Sequence, residues 1–276
     1  MVNGRKDEEG NVYSDVSYDV AFGEMVDGVS NREITAAYAS IANEGIYREP
    51  VLFTKVLDSD GNIILDRRAE ESRVMEKSTA FLLQTALKNR ADKIDISYFK
   101  KEHIDIGAIK SVTKNNESCW CMGFTPYYVG GMWCGFDDES KQEDNDYYVD
   151  MWTEIMKRVH EKTKTSPISF AYPDNISKKN ICTKSGLLEN PSVCENAKGD
   201  DDVRNEYFVK GTEPAEICNR HVSYNICKKS GLLAGEGCPK SEIEKKIFLI
   251  KEEKHKTKDS DKIVDKKMLK KCDMHK

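Results

Sequence analysis

The chain has 276 residues, 38% hydrophobic and 33% charged, a balance that supports one sizeable core with a more polar remainder rather than two domains of average composition. Its formal net charge of -5 argues against the concentrated basic surface that phosphate backbones require, so nucleic acid is not an expected partner. No window approaches the roughly 20 apolar residues of a membrane span, and the opening MVNGRKDEEGNVYSD has no apolar stretch of the kind an export signal carries.

Residues 19–48 open with a glycine-punctuated loop and continue as a predicted helix. Ser30 and Glu33 have the spacing of a capping box, Ile34, Ala37, Tyr38 and Ile41 repeat at helical intervals, and Gly45 is the stop signal. The β-rich runs 50–56 and 63–65 flank Asp58-Ser59-Asp60-Gly61, which predicts a hairpin. Residues 75–89 read as an amphipathic helix, with Phe81, Leu82, Ala86 and Leu87 on one side. The stretch 90–103 is polar and weakly patterned. A strand at 105–112, a strand pair at 118–124 and 129–134, and a helix at 147–162 complete the globular part. A four-residue turn over 125–128 would set Cys119 opposite Cys134. Asp137 and Asp138 begin an acidic run through Glu139, Glu143, Asp144 and Asp146, read as a solvated loop rather than an acid-base pair.

Residues 106–138, IGAIKSVTKNNESCWCMGFTPYYVGGMWCGFDD, resemble the end of the transpeptidase domain of class A penicillin-binding proteins. That family usually reads Lys-Thr-Gly-Thr, then Trp-Phe-x-Gly-Tyr-Thr-Pro, a hydrophobic strand and Gly-Tyr-Asp-Asp. The matching residues are Lys110, Ser111, Thr113, Trp120, Gly123, Phe124, Thr125, Pro126, Gly135, Phe136, Asp137 and Asp138; the departure is Val112, where the family has glycine. Residues 19–48 are similar to a second family stretch through Gly23, Gly28, Val29, Ser30, Glu33, Ala36, Ala37, Tyr38, Ala39, Ala42, Asn43 and Gly45.

The resemblance implies part of an α/β (α+β) transpeptidase domain with an antiparallel central sheet and flanking helices. It implies acyl transfer from a D-alanyl-D-alanine stem peptide, through a serine ester, to an amine of a second peptide. Lys110, Ser111 and Thr113 would bind the carboxylate of the peptidoglycan stem peptide or of a β-lactam, with no metal or organic cofactor. The nucleophile should be a Ser-x-x-Lys serine upstream of this strand. Ser97-Tyr-Phe-Lys100 and Ser111-Val-Thr-Lys114 do not fit, and neither does Ser223-Tyr-Asn225 as the family's Ser-x-Asn. No catalytic residue is therefore assigned within the chain, and the serine is expected in a missing N-terminal half of the same protein. The intact parent would work at the extracytoplasmic face of the cell membrane.

Nine cysteines suggest an oxidising compartment. Cys119, Cys121 and Cys134 are expected as buried small hydrophobes, with a cross-strand disulfide as the alternative. Beyond Ser166, ICTKSGLLENPSVC at 181–194 and ICKKSGLLAGEGC at 226–238 are copies of one another. Between them EYFVKGTEPAEIC, 206–218, resembles the C-terminal extension of some class A penicillin-binding proteins of Gram-positive bacteria. Cys182 with Cys194 and Cys227 with Cys238 are the disulfide candidates, each pair spanning a Ser-Gly turn; Cys218 is left for Cys272 or for no partner. His221 is the one histidine counted near these cysteines, so no metal site is expected. The organisation expected is transpeptidase over 1–165, a two-repeat cysteine extension over 166–250 and a charged, disordered tail over 251–276. Two functional readings stand: a cross-linking transpeptidase piece whose serine lies elsewhere, or a non-catalytic extracellular module that binds wall or protein.

Overall fold

The structure is a computed structural model. It describes residues 5, 6, 8–10, 12–14, 16, 18–23, 25, 28–113, 116–138, 140–142, 145–194, 203–250, 263, 264 and 270–275. Lys114, Glu139, Glu143, Asp144 and most of the charged stretch 251–269 lie outside the described residues. Two compact units, Met1–Pro173 and Asp174–Lys276, divide the chain.

The first unit begins with a short antiparallel pair, β1 (Arg5–Lys6) and β2 (Val12–Tyr13), and a 3-10 turn at Tyr18–Phe22. Helix α1 (Asn31–Ala42) starts where the capping box requires. The Ser30 hydroxyl accepts the Glu33 N–H at 3.3 Å, and the Glu33 carboxylate accepts the Ser30 N–H at 2.9 Å. Strand β3 (Ile46–Arg48) pairs with β6 (Glu71–Arg73). Between them lies the expected hairpin, β4 (Lys55–Leu57) and β5 (Ile63–Asp66). Its turn is closed by the Asp58 carboxylate, which accepts from the N–H groups of Asp60 and Asn62.

Helix α2 (Lys77–Ala91) is followed by α3 (Ser97–Lys101), a turn of helix that the weak pattern of 90–103 did not announce. Its formation is a tertiary effect: Phe99 is fully buried, and Ile94, Ile96, Ile104 and Ile106 around it are buried as well. Strands β7 (Gly107–Val112), β8 (Ser118–Phe124) and β9 (Val129–Gly135) form an antiparallel sheet in that order, and α4 (Tyr147–Thr163) follows.

Strand alternation divides the side chains of this sheet between two layers. One face carries Ala108, Cys121, Cys119 and Gly123 against Tyr148, Val149, Trp152 and Met156 of α4. A Cβ on Gly123 would come within 2.6 Å of the Trp152 ring, and the Trp152 indole N–H donates to the Gly130 carbonyl at 3.0 Å. The other face takes α1, where Asn31 donates to the Gly131 carbonyl at 3.1 Å and Tyr38 meets Phe124. Residues 166–172 also belong to this unit: Ile168 bridges Ile104, Phe170 packs on Phe124 and Tyr172 on Phe81. The first unit therefore runs past the expected boundary at 165.

The second unit is a tandem repeat. Strand β10 (Ile176–Cys182) pairs with β11 (Val203–Val209); β12 (His221–Cys227) pairs with β13 (Ile243–Ile250), which β14 (Ile263–Val264) joins in parallel. The two copies share a set of backbone hydrogen bonds. Cys182 N–H donates to Leu187 and Cys227 N–H to Leu232 at 2.9 and 2.8 Å, and Cys218 N–H donates to Leu188 and Cys272 N–H to Leu233, both at 2.7 Å. Residues 270–275, expected within a disordered tail, thus supply the second repeat with the segment that 216–221 supplies to the first. Among the described residues no helix is long and apolar enough to cross a membrane.

Candidate functional site: an exposed edge strand and two thiol-imidazole clusters

Strand β7 is the edge of its sheet; it ends on Lys110, Ser111 and Val112, and Thr113 follows directly after it. Lys110 stands opposite Cys121, Ser111 opposite Trp120 and Val112 opposite Cys119. Lys110 and Val112 are therefore on the α4 face, while Ser111 is on the face that carries Trp120 and Trp133. Val112 is 44% exposed; its branched side chain is directed away from the Ser111 side, as strand alternation requires.

Lys110 is engaged. Its Nζ lies 2.5 Å from Oδ2 of Asp146, the residue that precedes α4. Burial pushes the neighbouring Cys121 thiol up to about 12, so it stays neutral beside the lysine. The Thr113 hydroxyl accepts the N–H groups of Glu117 and Ser118 at 3.1 and 3.0 Å, which leaves its own O–H to donate to a ligand. The strand thus offers an ammonium, two hydroxyls and an edge of backbone groups within four residues, a set suited to an extended peptide ending in a carboxylate.

The serines tested as nucleophiles do not gather here. Ser97 opens α3, where its N–H donates to Asp95 and Lys100 pairs with Asp92. Ser223 and Asn225 are on β12 of the second unit. Asp137 and Asp138 lie in the turn after β9, the Asp138 carboxylate accepting the Ser140 N–H.

The turn over 125–128 is closed by Thr125 N–H to the Tyr128 carbonyl at 2.8 Å, and it brings Cys119 opposite Cys134 as expected. Neither is in a disulfide, nor is Cys121, and Cys119 and Cys121 are buried. Beneath the turn, Thr125 and His160 are 1% exposed. The His160 Nδ1–H donates to the Met156 carbonyl at 2.7 Å, so Nε2 accepts the Thr125 hydroxyl at 3.0 Å.

The second unit departs from expectation most sharply. Cys182, Cys194, Cys227 and Cys238 are free thiols, not two disulfides. Each expected pair is half of a larger group: Cys182, Cys194, Cys218 and His221 come together, and so do Cys227, Cys238, Cys272 and His275, with the sulfur and nitrogen atoms of each set within 4.8 Å of one another. The sulfurs of Cys182, Cys194 and Cys218 are 3.3, 3.5 and 3.6 Å from His221 Nδ1. Those of Cys227, Cys238 and Cys272 are 3.5, 3.5 and 3.6 Å from His275 Nδ1. The count of histidines missed His275, far along the chain. The signal was present: Cys218-Asn-Arg-His221 and Cys272-Asp-Met-His275 repeat one Cys-x-x-His spacing, each after one copy of the repeat.

The antiparallel sheet with its helical layers is the transpeptidase-like fold that the sequence resemblance implied. The penicillin binding protein transpeptidase domain family matches residues 3–108, ending just before Lys110, and the penicillin-binding protein 1A C-terminal domain family matches 172–223. The chain is 32% identical over 241 residues to penicillin-binding protein 1A of Clostridium novyi (strain NT), covering 83% of this chain and 26% of that protein. It is 26% identical over 234 residues to penicillin-binding protein 1A of Clostridium botulinum (strain Langeland), covering 83% and 28%. The chain belongs to the class A penicillin-binding protein family. A crystal structure of penicillin-binding protein 1A from Haemophilus influenzae shares the fold with a TM-score of 0.53 at 23% identity, over 67% of this chain and 32% of that one. The chain spans about a quarter of the length of the two clostridial relatives.

Proposed function

We propose that this chain supplies the substrate-side edge of a D,D-transpeptidase that cross-links peptidoglycan at the extracytoplasmic face of the membrane. The observation that carries the reading is the edge strand β7 with Lys110 and Ser111 near its end and Thr113 directly after it, Lys110 being paired to Asp146 at the start of α4. A stem peptide lies along β7, and its terminal carboxylate is received by Lys110 and by the hydroxyls of Ser111 and Thr113. A serine outside this chain attacks the D-alanyl-D-alanine carbonyl and D-alanine leaves. The amine of a second peptide then takes the acyl group from the serine ester and restores the hydroxyl. β-Lactams enter the same site by their carboxylate. The ion pair with Asp146 neutralises Lys110 in the absence of ligand, so an incoming carboxylate must displace that aspartate.

That ion pair also favours a second reading, in which the strand is held closed and the chain is a non-catalytic module that binds wall or protein. Labelled penicillin with intact-mass measurement separates the two. The chain joined to, or mixed with, the Ser-x-x-Lys segment of its parent is expected to form a covalent adduct that the chain alone does not form. Lys110→Ala is expected to slow acylation about 10- to 100-fold, from the roughly 1.5–3 kcal/mol of a charge-assisted hydrogen bond. A reconstituted, folded protein that takes no penicillin, or is indifferent to Lys110→Ala, decides for the module.

A further inference from the structure

The two clusters of the second unit stand apart from the transpeptidase chemistry, and their geometry answers a different question. With metal–sulfur bonds near 2.3 Å and metal–nitrogen bonds near 2.0–2.1 Å, a tetrahedral centre places each sulfur about 3.6 Å from the nitrogen. The observed separations run from 3.3 to 3.6 Å in one cluster and from 3.5 to 3.6 Å in the other. In both it is Nδ1 that faces the three sulfurs. A disulfide in either cluster would join two sulfurs at about 2.05 Å and strand the third with the histidine.

Hydrogen-bond donors surround one sulfur of the first cluster and two of the second. The Arg220 and His221 N–H groups and the Ser185 hydroxyl are directed to Cys218; the Lys229 and Ser230 N–H groups to Cys227; the Met274 and His275 N–H groups to Cys272. Such donors hold a charged sulfur in place as outer ligands do around a metal. The apolar core also depends on the cluster: in the first repeat the buried group is Cys182, Val193, Cys194 and Cys218, with Val203 and Ile247 packed against it. Three of its four buried members are the cysteines themselves. So small a core needs a cross-link or a metal.

We propose that Cys182, Cys194, Cys218 and His221 form one structural zinc site, and Cys227, Cys238, Cys272 and His275 a second. Three thiolates and one imidazole in tetrahedral array are a ligand set for Zn²⁺ rather than for oxygen-seeking cations. All four positions come from protein, so each site is closed and holds the fold rather than activating water. On binding, three thiols lose their protons to solvent and the neutral imidazole gives its Nδ1 lone pair, leaving each centre with one negative charge and no change in oxidation state.

The test uses the whole chain, purified without chelator under nitrogen. Elemental analysis and native mass spectrometry are expected to find two zinc ions per chain, Cys218→Ser and Cys272→Ser one each, and the double variant none. Should the variants fail to fold, wild-type protein decides alone. Cobalt exchanged into it is expected to give thiolate-to-cobalt charge-transfer and tetrahedral ligand-field bands. Zinc is expected to shield the six cluster cysteines from alkylation until a chelator is added, while Cys119 and Cys121 do not respond. A folded protein without metal, with Cys182–Cys194 and Cys227–Cys238 disulfides mapped in the unreduced state, overturns the proposal. So does zinc whose amount is unchanged in the folded double variant.

Discussion

The two units are held together by different means. In Met1–Pro173 a sheet and its helices bury Phe99, Phe124, Tyr148, Trp152 and Met156, so stability is spread over many apolar contacts. In Asp174–Lys276 the most buried side chains are cysteines, and stability is concentrated at two points. A distributed core weakens in steps when single groups are removed. A point-held fold is conditional on the chemistry of a few atoms.

The sharpest break of this comparison is removal of metal. Structural zinc sites carry about 10–16 kcal/mol of apparent binding free energy at neutral pH. A strong chelator is therefore expected to release residues 174–250 to fast hydrogen exchange while residues 77–163 stay protected. Equal loss of protection in both units would dissolve the distinction.

Next in size is Trp152→Ala. It removes the side chain that fills the sheet surface over Gly123 and donates to Gly130, at a cost of about 3–5 kcal/mol. Chemical denaturation should show the loss in the first unit, with zinc content unaltered.

Glycines probe the same contrast more finely. Gly123→Ala is expected to cost about 1–3 kcal/mol through overpacking, because Trp152 and Ala108 already occupy the space. Gly186→Ala meets nothing within 4 Å but sits at a φ of 71°, so its cost of about 1–2 kcal/mol is conformational. A side chain larger than alanine at Gly123, serine or valine, should cost more. Asn at Gly186 should be tolerated, since Asn adopts the left-handed region readily. Denaturation midpoints that rank otherwise would remove this assignment.

The smallest effect is a dependence on acid. Burial holds the His160 imidazole below its ordinary value, against the opposing pull of the Met156 carbonyl. The unfolded chain then takes up a proton first as pH falls, so the first unit loses stability from about pH 6.5 downward until the folded value is passed. His160→Gln is expected to flatten that slope in denaturation curves measured between pH 7 and 5. An unchanged slope would assign it to other groups.

What could be read from sequence follows from the range of the interactions. The capping box at Ser30 and Glu33, the Asp58 turn, and the register that sets Cys119 opposite Cys134 are closed by residues within a few positions of one another, and all three are found in the structure. Helix α3 was not readable because Phe99 is recruited by a core assembled from distant segments. The Lys110–Asp146 pair joins residues on two elements that sequence gives no reason to bring together.

The cysteines draw the line most clearly. The amino-acid sequence by itself determined that two copies of one motif carry paired cysteines, and it determined the family through Lys110, Ser111, Thr113 and the surrounding strand residues. Only the tertiary structure decided that Cys218 and His221 complete one set, and that Cys272 and His275, beyond a long charged stretch, complete the other. It also decided that α4 covers the sheet face to which Val112 belongs. The reason is physical: strand pleat and tight turns act over neighbouring residues, whereas a four-cornered ligand set is closed by segments whose meeting depends on the whole fold.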